Sequence, residues 1–308
     1  MITVFYEKRN LVSYVLSLLM LTAAVYYHQT QTESTFLFWG EKSITVLLLA
    51  FCLYATDWTV KRQYWAKNSN YHLLVFPLLF FGLPVSSWNN WMLLYIAFFW
   101  VAINYVLGLS RSNHKMASVF NASFLLCFGA LFYPKGLFFF PVLWVTMAFY
   151  SLLSAQLFLI SLLPFIALIL LGVCFRYAFP STPFFSWPVF SFLDVQFIWQ
   201  EKLRLNLWWL VFIFILVSGT WRHLAYIRSK SATYVSGLFT LLFCGFSGLL
   251  FALLFQTDST LAWVLLLMVM SALSTRLFEE FKKGWIRELF FLFLFLLIIA
   301  SKDPFFLF

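Results

Sequence analysis

The amino-acid sequence predicts an all-α fold: a polytopic transmembrane helical bundle of about eleven spans, within a range of nine to eleven, with a cytoplasmic N-terminus. Three observations predict it. Hydrophobic residues make up 63% and charged residues 10% of 308 positions, against about 45–50% and about 25% in a soluble domain. So few charges cannot cover a water-facing surface, and the solvent for most of the chain must be lipid. The apolar residues also run continuously, as from Leu157 to Phe175 and from Phe290 to Ala300. A lipid-facing barrel strand alternates with a period of two, whereas backbone groups satisfied within one continuous apolar segment require a helix. Finally, the charges segregate between the two ends of those segments.

A lipid core about 30 Å thick takes about 20 apolar residues as helix. The first segment, 11–27, follows Lys8 and Arg9; Thr22-Ala23-Ala24 matches a cleavage site only loosely, so a retained anchor is expected rather than a secretory signal. The second, 43–60, carries Asp57 near its end, and the third, 71–86, contains Pro77. The fourth is 91–109, flanked by Trp88 and Trp91, rings suited to the membrane interface. The fifth and sixth, 119–133 and 136–153, are separated by little, and no charge lies between Ser151 and Gln156. A re-entrant hairpin over 119–153 is the alternative; it lowers the count to nine and would set Lys135 at membrane depth, which counts against it. The seventh, 157–175, contains Pro164, which with Pro77 and Pro141 should bend its helix. The eighth, ninth, tenth and eleventh are 206–221, 233–255, 260–275 and 289–301. In the ninth, Cys244, Gly248 and Ala252 recur every four residues, a spacing that lets helices approach closely.

These segments form a single integral membrane domain over 1–308, with no room for a soluble one. The longest connection, 176–205, opens with Pro180, Pro183 and Pro188, which resist helix. From about Phe192 to Leu205 an interfacial helix is expected, with Phe192, Val195, Trp199 and Leu203 on one face.

With the N-terminus inside, the inner connections hold 14 of the 20 basic residues and Glu7, Asp57, Glu279, Glu280 and Glu288. The outer ones hold six basic residues and six acids. The whole net charge of +9 therefore lies on one side. Cytoplasmic loops collect Lys and Arg, so this charge records orientation in a bacterial inner membrane and not a nucleic-acid partner. The lipid bilayer is the expected partner, with membrane proteins as further candidates.

Chemistry-bearing clusters are sparse. Cys52, Cys127, Cys174 and Cys244 fall within spans without CxxC spacing, so they read as small apolar residues. His28, His72, His114 and His223 share no helix at i,i+3 or i,i+4 spacing, and neither a metal site nor another cofactor is expected. Asp57 is the acid nearest a span interior; an i,i+4 pair with Lys61 accounts for it, and a proton or cation relay is the sharper alternative. Asn104 and Asn121 are expected to hydrogen-bond between helices. Glu288 opens the last span, where a carboxylate suits a helix N-terminus. The best enzyme constellation lies outside: the acids Glu33, Glu41, Asp194 and Glu201 could act with Arg176 and Arg204, which could meet a phosphate or pyrophosphate.

Three stretches together resemble an uncharacterised family of multi-span inner-membrane proteins from the Bacteroidota. They are LSRSNHKMASVFNASFLLCFGALFYP at 109–134, YIRSKS at 226–231 and LFEEFKKGWIRELFFLFLFLL at 277–297. The resemblance runs over nearly the whole chain and implies a helical bundle in an inner membrane without implying an activity. Some members carry a transferred label of carotenoid-cleaving oxygenase, against which the four scattered histidines argue.

The leading expectation is a structural or accessory subunit of a membrane assembly in the cell envelope, leaning away from an enzyme. One alternative is an enzyme or flippase for a polyprenyl- or lipid-linked substrate, using the outer acids and arginines. The other is a small-solute or ion transporter, for which Asp57 would line a wet cavity.

Overall fold

The computed structural model describes residues 3–8, 10–28, 36–66, 69–83, 89–109, 114–178, 207–227, 232–254, 259–281 and 283–300. Among them the fold is entirely helical. Its elements are α1 (Val4–Glu7), α2 (Leu11–His28), α3 (Phe36–Arg62), α4 (Tyr71–Gly82), α5 (Asn90–Leu107) and α6 (Lys115–Phe132). A 3₁₀ segment (Pro134–Phe139) runs into α7 (Phe140–Phe149), followed by α8 (Ala155–Ala178), α9 (Leu207–Ile227), α10 (Ala232–Leu254), α11 (Ser259–Glu280) and α12 (Gly284–Ala300). Five stretches are helical, long and apolar enough to cross a membrane: Trp39–Arg62, Asn90–Leu107, Lys115–Phe132, Tyr234–Ala252 and Leu261–Glu280.

Side-chain pairs fix the direction of each helix. Tyr14 of α2 meets Asp57 of α3, and Tyr26 meets Trp39, so α2 and α3 are antiparallel. Thr45 bonds Asn90 at 2.7 Å and Thr59 bonds Asn104 at 2.9 Å, which makes α3 and α5 parallel. Trp91 against Phe132 and Phe98 against Phe128 set α6 antiparallel to α5. Tyr95 bonds the Gly136 carbonyl and Phe99 stacks edge-on to Phe139, so the 3₁₀ segment and α7 return alongside α5. Trp144 against Phe158 and Phe140 against Phe165 reverse the chain again at α8. From α2 to α12 successive helices alternate in direction. One end of the bundle therefore gathers Lys61, Arg62, Arg222, Arg276 and Arg287, and is called the basic end below.

Two helices form the centre. Every residue of α4 except Phe81 is buried, although a 12-residue helix is only about 18 Å long. Helix α11 is buried along nearly its whole length. The start of α4 lies against the end of α11, where Tyr71 stacks on Phe278 with centroids 5.4 Å apart. Around this pair, the other helices turn large apolar side chains outward, including Leu47, Leu170, Val217 and Leu296. An apolar exterior of this extent is suited to lipid and not to water.

Small residues set the closest approaches. A Cβ on Gly248 would stand 3.2 Å from Leu265 Cδ2 of α11, and Cys244 is fully buried, so the four-residue spacing in α10 does form a packing seam. Pro77 and Pro164 lie inside α4 and α8. Pro141 instead sits in the first turn of α7, where a missing N–H leaves no bond unmade. Two polar expectations part ways. Asn104 is buried between helices, whereas Asn121 is exposed on α6, because residue 121 falls on the outward stripe with Phe120 and Phe124. Cys52, Cys127 and Cys244 are buried free thiols and Cys174 is an exposed one.

Candidate functional site

The densest polar arrangement lies at the basic end, where the chain turns from α3 into α4. Helix α3 closes on itself there. Gln63 and Trp65 donate to the carbonyls of Thr59 and Val60, at 3.0 Å each, and Tyr64 adopts φ 55°. This is the left-handed helix terminus that usually falls to glycine. The conformation carries a steric cost for tyrosine, and it aims the Tyr64 carbonyl at Arg276, whose Nη2 donates to it at 3.2 Å. Replacing the exposed Tyr64 by glycine should be tolerated, whereas Tyr64→Val should lower stability by about 1–2 kcal/mol, read as a shift in thermal unfolding midpoint in detergent.

The four residues Ser69-Asn70-Tyr71-His72 then reach five different helices. Ser69 Oγ donates to Glu279 Oε1 of α11 at 2.6 Å. Asn70 Nδ2 donates to Ser13 Oγ of α2 at 2.8 Å, and its backbone N–H donates to the Tyr6 carbonyl of α1 at 2.8 Å. Tyr71 accepts at its hydroxyl from Arg287 Nη1 of α12. His72 Nε2 pairs with Asp57 Oδ1 of α3 at 2.8 Å. Asn70 occupies the N-cap position of α4 without capping it; its amide is engaged across the bundle instead.

Asp57 is the charged centre of this hub. It is 2% exposed. Its Oδ2 accepts from Lys61 Nζ and from the Tyr14 hydroxyl, at 2.6 Å each, while Lys61 also bonds Tyr14. The side chain of Lys61 is 29% exposed and that of His72 fully buried, so the cluster runs from the surface of the basic end to the interior. A buried carboxylate is tolerable only when paired and hydrogen-bonded, and here three side chains meet its two oxygens.

Further ties surround it. Arg276, 4% exposed, ion-pairs with Glu279 at 3.3 Å. Glu288 Oε1 accepts from both the N–H and the hydroxyl of Thr3, at 2.8 and 2.6 Å, so it anchors the N-terminal segment; it does not open α12, which begins a turn earlier at Gly284. Arg287 pairs with Glu7 at 3.0 Å. Burial opposes its charge, but Glu7 and Tyr71 outweigh that and raise its pKa. Burial raises the pKa of Tyr6, whose hydroxyl meets Ser17 at 3.2 Å. A second cluster joins α3 to α5. Trp100 Nε1 donates to Thr59 Oγ1 at 2.9 Å, and Arg62 Nη1 to the Asn104 carbonyl at 3.0 Å.

The sequence-predicted residues are placed unevenly. The Asp57–Lys61 pair is present as expected, and His72 and Tyr14 extend it. Two readings are corrected. Arg276 and Glu279, taken as loop charges, lie within α11 and are largely buried, because the guanidinium reaches inward to the Tyr64 carbonyl. Glu41 is exposed on α3. Glu33, Asp194, Glu201 and Arg204, with the expected interfacial helix, lie outside the described residues, as does the side chain of Arg176 near the end of α8. Among the described residues no three His, Cys, Asp or Glu side chains stand together as a metal-binding group. No protein-family model, no curated protein and no solved structure matches the chain.

Proposed function

We propose that the chain is a structural or accessory subunit of a membrane assembly in a bacterial inner membrane. In this reading its eleven alternating segments cross the bilayer with the N-terminus on the cytoplasmic side, and the likeness to the Bacteroidota envelope family reflects common descent. One observation carries the proposal: each of two buried carboxylates is paired with a cation on its own helix and tied by further side chains to other helices. Asp57 is held by Lys61, Tyr14 and His72, and Glu279 by Arg276 and Ser69. A carboxylate so engaged is occupied with joining helices and does not stand ready for a solute or a substrate. The surplus of Lys and Arg at the basic end supports the orientation.

The test is gentle extraction of the full chain from its native membrane, after brief cross-linking, followed by sizing and mass spectrometry. A partner recovered in fixed stoichiometry is expected. Recovery solely as an isolated monomer, with and without the cross-linker, would overturn the proposal.

A further inference from the structure

Helices α9 and α10 both lie against α11, brought close by glycines. A Cβ on Gly219 would come within 3.1 Å of the Leu273 carbonyl oxygen, and one on Gly245 within 3.2 Å of Val269 Cγ1. At the basic end the two helices are tied to each other by His223 and Tyr234, 2.6 Å apart. Beyond that tie a groove of about 430 Å³ opens along their seam, with α11 as its floor. Its walls are apolar, formed by Leu216 and Val217 on α9 and by Leu242 and Leu249 on α10. The only hydroxyl in the lining, on Thr220, is itself buried, so the wall offers an occupant no hydroxyl contact. At the basic end of the groove Trp221 is 70% exposed, and Arg222 beside it is ion-paired to Glu280 at 2.5 Å.

The dimensions suit a hydrocarbon chain. From Leu216 to Leu224 the wall is about 12 Å long at 1.5 Å per residue. The volume then corresponds to a channel roughly 36 Å² in section. A single extended hydrocarbon chain fits within it. An unfilled gap of this size forfeits dispersion contacts along its whole lining, and in a bilayer the molecules at hand to fill it are lipid tails.

We propose that the groove between α9 and α10 holds one acyl chain of a phospholipid from the leaflet at the basic end, with its headgroup beside Trp221 and Arg222. Trp221 is the residue type that sits at the headgroup boundary, and the positive surplus of that end favours an anionic headgroup. The inference rests on the chain crossing a membrane and not on its place in an assembly.

The probe is phosphatidylglycerol carrying a photoreactive diazirine midway along one acyl chain. It is mixed with phosphatidylethanolamine in nanodiscs holding the full-length protein, and adducts are mapped by peptide mass spectrometry. Groove residues of α9 and α10 are expected to be labelled at least about fivefold more than Leu47 of α3 and Leu170 of α8, which are exposed elsewhere on the bundle. Val217→Trp and Leu249→Trp, which narrow the opening, should each remove that excess and leave labelling at Leu47 unchanged. Should both variants unfold, native mass spectrometry of the unaltered protein decides: one phospholipid retained per chain after the others are stripped supports the site, and simultaneous loss of all lipid overturns it. Even labelling of groove and exposed faces overturns it too. So does a photoreactive side chain at position 246 that captures a protein instead of lipid in intact membranes. Absence of adducts on every helix would sink the membrane reading itself, which keeps the two failures apart.

Discussion

Asp57→Ala should be the most damaging single substitution in the bundle, lowering stability by about 3–5 kcal/mol. The loss is not that of one surface ion pair, which would be worth about 1 kcal/mol or less. The change leaves the buried His72 without its carboxylate and leaves Lys61 and Tyr14 facing each other beside an empty space. Removing one member of a buried cluster leaves the remaining groups under-satisfied, and that is the larger part of the penalty. Asp57→Asn should fall between, because the amide keeps the volume and some hydrogen bonds but not the charge. Unfolding midpoints of the purified protein in detergent, followed by intrinsic tryptophan fluorescence, would read the order native, Asn, Ala. A midpoint for Asp57→Ala within error of the native one would show that the cluster holds nothing together. Lys61→Met gives the complementary measurement. It leaves the buried Asp57 carboxylate without its cation, held only by Tyr14 and His72, so its cost should be comparable to that of Asp57→Ala.

Gly136→Ala should be nearly as harmful for a change of one methyl group. Gly136 lies in the 3₁₀ segment, packed under the ring of Tyr95. A Cβ there would stand 2.3 Å from Tyr95 Cε2 and 2.4 Å from Cζ. The ring is enclosed, with Phe99, Tyr133 and Phe139 around it, and its hydroxyl donates to the Gly136 carbonyl. It cannot step aside without breaking that bond and disturbing three neighbours. Overpacking a close-packed core costs about 1–3 kcal/mol, and the displaced hydrogen bond adds about 1 kcal/mol. The interaction is local, so a double-mutant cycle isolates it: in a Tyr95→Ala background the same Gly136→Ala change should be close to neutral. An equal loss in both backgrounds would mean that the backbone of the segment, and not the ring, is what the methyl group disturbs.

The sequence makes the helical architecture plain for a physical reason. In lipid the backbone has few solutions, and continuous apolar runs select helix without any knowledge of neighbours. The same holds for features confined to one helix. The Asp57–Lys61 spacing and the four-residue recurrence in α10 both take their geometry from 3.6 residues per turn. What remained out of reach depends on separation along the chain. Nothing in the order of residues ties His72 to a carboxylate 15 positions earlier or Tyr14 to one 43 positions later. Arg276 looked like a loop cation because its segment ends in charges; only the turn at Tyr64, 212 residues away, gives its guanidinium an inward acceptor. Gly136 carried no signal, since a glycine after Pro134 and Lys135 reads as an ordinary turn. Asn121 was misplaced because helical phase, unlike helical existence, depends on which side the neighbours occupy. Of the outer acids and arginines, Glu41 stands exposed on α3, while Glu33, Asp194, Glu201, Arg204 and the side chain of Arg176 lie outside the described residues.

The hub at Ser69 to His72 also sets a timetable. Ser69 meets its acceptor on Glu279, 210 residues further on, and Tyr71 meets Arg287, 216 residues further on. At about 5–20 residues per second, a ribosome takes roughly 10–40 s to supply those partners. Through that interval the core positions of α4 stay uncovered, since α11, which covers them, is among the last to be made. Assembly of this bundle is therefore closed by its C-terminal quarter, and a nascent chain arrested before residue 259 would present the quality-control machinery with an unsatisfied polar turn and an apolar face awaiting its mate.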